Sequence, residues 1–168
     1  MTKEPGRRVI LGIDLGERRV GLAIADPDGL AARPLATLRR ARSNDADAAN
    51  LARVVSANRI GELVVGLPLE ARGGAEGPMA TAARTWANAI AERLGLPVAL
   101  RDERLTSHVA ETRLGPMPRG RSGGAPSRTQ RDRYRERVDR EAAAIILQDE
   151  LDARRTDDQR AGSGPATR

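Results

Sequence analysis

Three strongly apolar stretches of the chain carry acids at positions that should point inward. Asp14 closes the run Val9–Ile13, Asp102 and Glu103 end the stretch Pro97–Arg104, and Asp139 lies four, seven and eight residues before Ala143, Ile146 and Leu147. A carboxylate in such a place is costly to bury unless something meets its charge. For Asp14 the partner could be a metal ion, a phosphate held through a metal, or an arginine; the acid could also cap the turn that Gly16 opens. Asp139 shares a helical stripe with core residues, although an acid in a first helical turn would be favoured by the helix dipole alone. Strand ends at one edge of a sheet could bring these acids together. Clustered acids repel unless a divalent cation neutralises them, and oxygen-only ligands suit Mg2+ or Mn2+. The chain has no cysteine and one histidine, which gives zinc little support. Two ions about 3.5–4 Å apart could activate a water and stabilise the leaving oxygen of a phosphodiester.

The basic residues point to a partner for such a centre. Net charge is +6, and Lys3 is the only lysine, so arginine carries the basicity. Between Arg119 and Arg140 eight arginines stand against three acids, which places most of the excess in one segment. That pattern suits a polyanion, or else forms a solvated loop with no ligand. Arg131, Arg133 and Arg135 lie in this segment. Arg18 and Arg19 follow Asp14, and Arg104 follows Glu103; each could contact phosphate or pair with an acid. Trp86 and Tyr134 are the only aromatics, so a base-stacking platform is not expected and backbone charge must do most of any nucleic-acid binding. His108 could assist proton transfer, but a helical, exposed position is the better expectation.

The elements that must position these groups read in order. Strands are expected at Val9–Asp14, Val20–Asp26 and within Leu30–Leu38, joined by short turns into an antiparallel meander. A helix follows over Asp45–Ala57, capped by Ser43 or Asn44. Glu62–Pro68 reads as a buried parallel strand. Gly73, Gly74 and Gly77 in Ala71–Pro78 could let backbone approach a phosphate, or serve as a connector. A helix over Met79–Leu94 ends at Gly95, with Trp86, Ile90 and Leu94 on its core face. Pro97–Arg104 is a fifth strand, a helix runs from Thr106 or Ser107 to Leu114, and a last helix covers Tyr134–Leu151. The order βββ-α-β-α-β-α-α describes a mixed sheet with helices on its faces.

At 168 residues the chain can build one real core. No apolar run approaches the roughly 20 residues of a membrane helix, and the start lacks a signal peptide's apolar segment. The expected organisation is a flexible leader at 1–8, one domain at 9–151 and a polar, disordered tail at 152–168, in a soluble cytoplasmic protein.

The motifs taken together are specific. Gly12-Ile-Asp-Leu-Gly16 with Arg19 and Gly21, Val65-Gly-Leu-Pro68, Asp102-Glu-Arg-Leu-Thr-Ser107, and Val138-Asp-Arg-Glu-Ala-Ala143 with Ile145-Ile-Leu147 resemble, in that order, those of the YqgF/RuvX family. The resemblance implies an α/β, RNase H-like fold with a five-stranded mixed sheet and helices on both faces, related to Holliday-junction resolvases. It also places metal-binding, catalytic acids at Asp14, Glu103 and Asp139, preferring Glu103 to Asp102, a choice strand parity alone leaves open. The family is provisionally assigned to pre-16S rRNA processing, so the implied activity is magnesium- or manganese-dependent cleavage of structured RNA in 5′-end maturation. Alternatives are a resolvase of branched DNA, for which a homodimer rather than a monomer is expected, and a nucleic-acid-binding domain that does not cut. A sugar-kinase or actin-like ATPase also uses Asp-x-Gly after a first strand but needs two such domains. The loop before Asp139 departs from the family in being arginine-rich and glycine-interrupted, so substrate contact there transfers less safely than the acids.

Overall fold

The structure, a computed structural model, describes residues 8–26, 28, 31–68, 77–103, 106–120 and 122–162. Five strands form one sheet: β1 (Val9–Leu15), β2 (Arg19–Ala25), β3 (Ala32–Arg39), β4 (Ile60–Leu67) and β5 (Val98–Asp102). Their order across the sheet is β3-β2-β1-β4-β5. The meander pairs antiparallel, and β4 and β5 add in parallel beside β1. Helices α1 (Asn44–Asn58), α2 (Pro78–Leu94), α3 (Thr106–Leu114) and α4 (Arg128–Gly162) complete the order. Among the described residues no helix is long and apolar enough to cross a membrane.

Strand alternation divides the core. Leu11, Ile13, Leu22, Leu63 and Val65 pack against α1 and α2 on one face, with Trp86 and Ile90. Ile10, Ala23, Ala25 and Val64 pack against Ala143, Ile146 and Leu147 of α4 on the other. Helices therefore cover both faces, as the sequence implies. Ser43 caps α1 by accepting from the Ala46 amide at 3.2 Å, and Gly95 ends α2 in a left-handed conformation.

A buried acid in this scaffold was not evident from composition. Asp47 is 3% exposed and accepts from Trp86 Nε1 at 2.9 Å, Arg40 Nε at 3.0 Å and the Ala41 amide at 2.7 Å. Arg40 also donates to the Gly16 carbonyl at 3.1 Å, which ties the β1–β2 turn to α1 and α2. Trp86 is core, as expected, but it also fastens this network.

The last helix differs most from expectation. It starts at Arg128, six residues before Tyr134, because Ser127 and Gln130 form a reciprocal cap: Ser127 N donates to Gln130 Oε1 at 2.8 Å, and Gln130 N to Ser127 Oγ at 3.2 Å. It also continues past Leu151 to Gly162, where a disordered tail is expected. Arg154 explains much of that extension, since it bonds Glu150 one turn back and reaches Glu62 on β4 at 2.5 Å. Residues 1–7 of the expected leader, 163–168 of the expected tail, 71–76 of the glycine loop and Arg104 lie outside the described residues.

Candidate active site

The site is built at the ends of β1 and β5 beneath α4. Ile10, Gly12 and Asp14 alternate onto the α4 face, and Asp14 stands opposite Gly21 in the β1–β2 register. The strands under α4 are paved with glycine where it approaches most closely. A Cβ built at Gly12 would lie 2.7 Å from Leu147 Cβ and 2.9 Å from the Ala143 carbonyl. One at Gly21 would overlap the Asp139 carbonyl, and one at Gly66 would overlap Glu103 Oε2 and come within 2.7 Å of Ile146 Cδ1. These glycines let α4 lower Asp139 to the level of the sheet and leave room for Glu103.

Register also separates the adjacent acids after β5. Leu67 pairs with Asp102, and the Glu103 amide continues the ladder by donating to the Leu67 carbonyl at 3.0 Å. Ala99 packs on the α4 face, and Arg101 on the same parity reaches Glu150 of α4 at 3.7 Å. Glu103 follows that parity and Asp102 takes the other. The Glu103 carbonyl accepts from the Thr106 amide at 3.2 Å and from Thr106 Oγ1 at 2.8 Å, so its backbone is held between β4 and the start of α3.

Glu103 and Asp14 meet there. Glu103 Oε2 is buried with no hydrogen-bond partner among the described residues. Burial, then the Asp14 charge, the hydrogen bond to Asp14 and the Asp102 charge push Glu103 up to about 9. Asp14 is raised to about 6 by burial and by the nearby Asp139 charge, against the opposing effect of its hydrogen bond with Glu103. The pair thus holds a proton between two carboxyls at neutral pH, with protonated Glu103 as donor. Asp139 completes the cluster from α4 and is turned toward Arg19, whose Nε donates to its Oδ2 at 2.5 Å.

Among the described residues no three acids or imidazoles stand in a ready metal-holding arrangement, and Asp139 is engaged by Arg19. The donor set nevertheless fits a hard divalent ion: oxygen ligands only, one buried carboxylate oxygen with nothing to bond, and two acids whose mutual repulsion such an ion would relieve.

The other candidates separate clearly. Arg18 is exposed on the β1–β2 turn, and Arg19 is the partner of Asp139. Arg135 borders a cavity beside Asp139 with Arg19, Ser107, Glu111 and Tyr134. Arg131 donates to the Pro126 carbonyl at 2.7 Å, and Arg133 is exposed on α4. His108 is exposed on α3 and lines a cavity with Glu111, Thr112 and Tyr134, not one bordered by the three acids. Asp139 lies three turns into α4, so a first-turn dipole does not account for it. In the sequence a structural partner is one of several options for Arg19; 120 residues separate it from Asp139, and only the packing of α4 on β2 joins them.

Residues 8–153 match the family described as RuvX, Holliday junction resolvase. A Chloroflexus aggregans protein provisionally named pre-16S rRNA nuclease is 43% identical over 148 residues, covering 88% of this chain and 96% of that protein. A protein of the same name from an Anaeromyxobacter species is 45% identical over 144 residues, covering 86% and 96%. In fold the chain is similar to Thermus thermophilus RuvC, solved in complex with a Holliday junction substrate, with a TM-score of 0.50, 19% identity and coverage of 89% and 96%. The α/β fold is RNase H-like.

Proposed function

The chain belongs to the RuvX family, and on that premise we propose that it is a magnesium- or manganese-dependent endonuclease acting in 5′-end maturation of pre-16S rRNA. The observation that carries the chemistry is the buried Asp14–Glu103 pair with its orphaned oxygen, set beside Asp139 at the open ends of the strands. The names of the relatives carry the substrate.

Asp14, Glu103 and Asp139 are the residues that would hold the metal. A divalent ion bound there neutralises the acids and supplies the Lewis acidity that makes water a competent nucleophile toward a phosphodiester. The chain's own residues do the rest. Glu103 and Asp14 keep a proton on the pair while no cation is present, which limits the cost of burying both. Arg19 holds Asp139 against the sheet, where the Asp139 charge helps raise Asp14. Arg135, beside the acids, is placed to meet a neighbouring phosphate. Arg18, Arg131 and Arg133 present charge at the surface, and Arg104 follows Glu103 in sequence; these we read as contacts to the nucleic-acid backbone. Such a nuclease would work in the cytoplasm, where ribosomal RNA precursors are made.

A second reading, junction cleavage, is favoured by the family description and by the junction-bound RuvC of like fold. It calls for two active sites in a homodimer, whereas cleavage of one RNA strand needs a single site. The deciding experiment incubates the purified protein with Mg2+ against a precursor of 16S rRNA and a four-way DNA junction in parallel, with Asp14→Asn as the control for contaminating nuclease. Cutting of the RNA alone, lost in the control, is the expected result. Cutting of the junction alone would transfer the assignment to resolution, and binding without cutting of either would reduce the protein to a binding module.

A further inference from the structure

Exposed guanidiniums also gather next to the carboxylates. A cavity of about 180 Å³ opens between the β1–β2 turn, the end of β3 and the start of α4, lined by Arg18, Arg19, Arg39, Arg128, Asp132 and Glu136. Arg19 is committed to Asp139. Arg18, Arg39 and Arg128 make no ion pair among the described residues, and neither do Asp132 and Glu136. Three unengaged guanidiniums therefore face two carboxylates, leaving one net positive charge in the cavity. That is the complement of a phosphodiester, which carries a single negative charge per linkage.

The three elements that bring these arginines together are fastened to one another. Gly16 N donates to the Arg19 carbonyl at 2.9 Å and closes the turn, while Arg40 N donates to the Arg18 carbonyl at 2.9 Å and locks it against β3. Arg19 and Arg39 are register partners. Thr37 Oγ1 donates to the Glu136 carbonyl at 2.8 Å, which ties β3 to the helix carrying Arg128. The backbone under the guanidiniums is thus set before a ligand arrives, so fewer degrees of freedom are lost on binding. Arg19 also borders the cavity beside Asp139, so the two spaces share a wall.

We propose that this cavity is a second phosphate seat, which takes a backbone phosphodiester of the substrate away from the scissile one and fixes the register of the strand on the carboxylates. Arg18, Arg39 and Arg128 donate to the phosphate oxygens, and the forked guanidinium geometry suits two oxygens of one group. Arg39 and Arg128 thereby acquire a role that the motifs around the acids do not suggest. The inference rests on the nuclease reading, since it presumes a nucleic-acid ligand.

The test measures the affinity of the full chain for a labelled 16S-precursor RNA across a salt series, in an Asp14→Asn background that keeps the substrate whole. Arg39→Gln/Arg128→Gln is compared with Arg53→Gln/Arg59→Gln, which removes the same charge from exposed positions on and just after α1. The seat predicts that the first pair weakens binding at least tenfold at moderate salt and lowers the slope of log K against log salt by about one, while the α1 pair leaves the slope in place. An unchanged slope in the first pair, or an equal loss in both, would remove the seat and leave the nuclease standing. Absence of salt-dependent binding in the Asp14→Asn parent would bring down both.

Discussion

At the scale of single residues, the account turns on two acids placed where neither can ionise cheaply. The folded-state pKa values of Asp14 and Glu103 lie above their ordinary values of 3.8 and 4.5, so the native state binds these protons more tightly than the unfolded chain does. The stability held in these protons is fully present below the ordinary values and is lost as pH rises through the folded ones, for Glu103 between about 4.5 and about 9. Glu103→Gln fixes the uncharged form. In chelator at pH 8 it should therefore melt above wild type by ~5 °C, a gain that vanishes by pH 4; thermal melts at the two pH values check this. A gain that persists unchanged at pH 4 would show that titration is not its source. Magnesium should raise the melting temperature of wild type and not that of Asp14→Asn, because a ligand of the native state stabilises only the form that binds it. Equal shifts in the two proteins would take the ion away from Asp14. The oddity of Asp14 and Asp139 was legible in the sequence, since an acid in an apolar run or stripe declares itself. The preference for Glu103 over Asp102 came from family likeness, and its physical basis lies in the β4–β5 register. The Arg19–Asp139 pair was not legible beyond the possibility of some partner, because nothing local links residues 120 apart.

At the scale of elements, α4 is the device that completes the site, and glycine in the sheet is what admits it. Gly21→Ala would drive a methyl into the Asp139 carbonyl, a backbone atom that cannot rotate away. The expected cost is about 1–3 kcal/mol or more, read as a fall in melting temperature of roughly 2–4 °C per kcal/mol, with cleavage reduced because Asp139 is displaced. Full stability and activity in Gly21→Ala would mean that α4 does not rest on this strand as described. Along α4 the arginines should not be equivalent. Arg135 borders the cavity beside Asp139, whereas Arg133 is two residues away and turned about 200° around a helix of 3.6 residues per turn. Arg135→Gln should weaken nucleic-acid binding and flatten its salt dependence more than Arg133→Gln does, as measured by parallel titrations. Equal effects would make the segment a diffuse charge. The strands, the Ser43 cap and the Gly95 stop were readable from period and punctuation. The true start of α4 was missed although its signal was present: Ser127-x-x-Gln130 is a capping box, masked by the glycine, proline and arginine around it. The extension to Gly162 depends on Arg154 reaching Glu62, a tertiary contact that composition does not show.

At the scale of the whole molecule, a sheet with helices on both faces buries its apolar residues in two layers and leaves the acids at the strand ends, with arginine around them. The net charge of +6 is spread unevenly, and most arginines of its densest segment fall in the first turns of the helix that carries Asp139. On the proposed reading, one element would carry both the attraction for a polyanion and an acid of the metal site. The most direct measurement is the rate of Mg2+-dependent cleavage of an end-labelled 16S-precursor RNA by wild type and by Glu103→Gln under identical conditions. The account predicts cutting by wild type that stops in chelator and falls by at least about 100-fold in the variant, the scale of loss when a group acting in the transition state is removed. Cutting by Glu103→Gln at the wild-type rate, or cutting that persists in chelator, would contradict it.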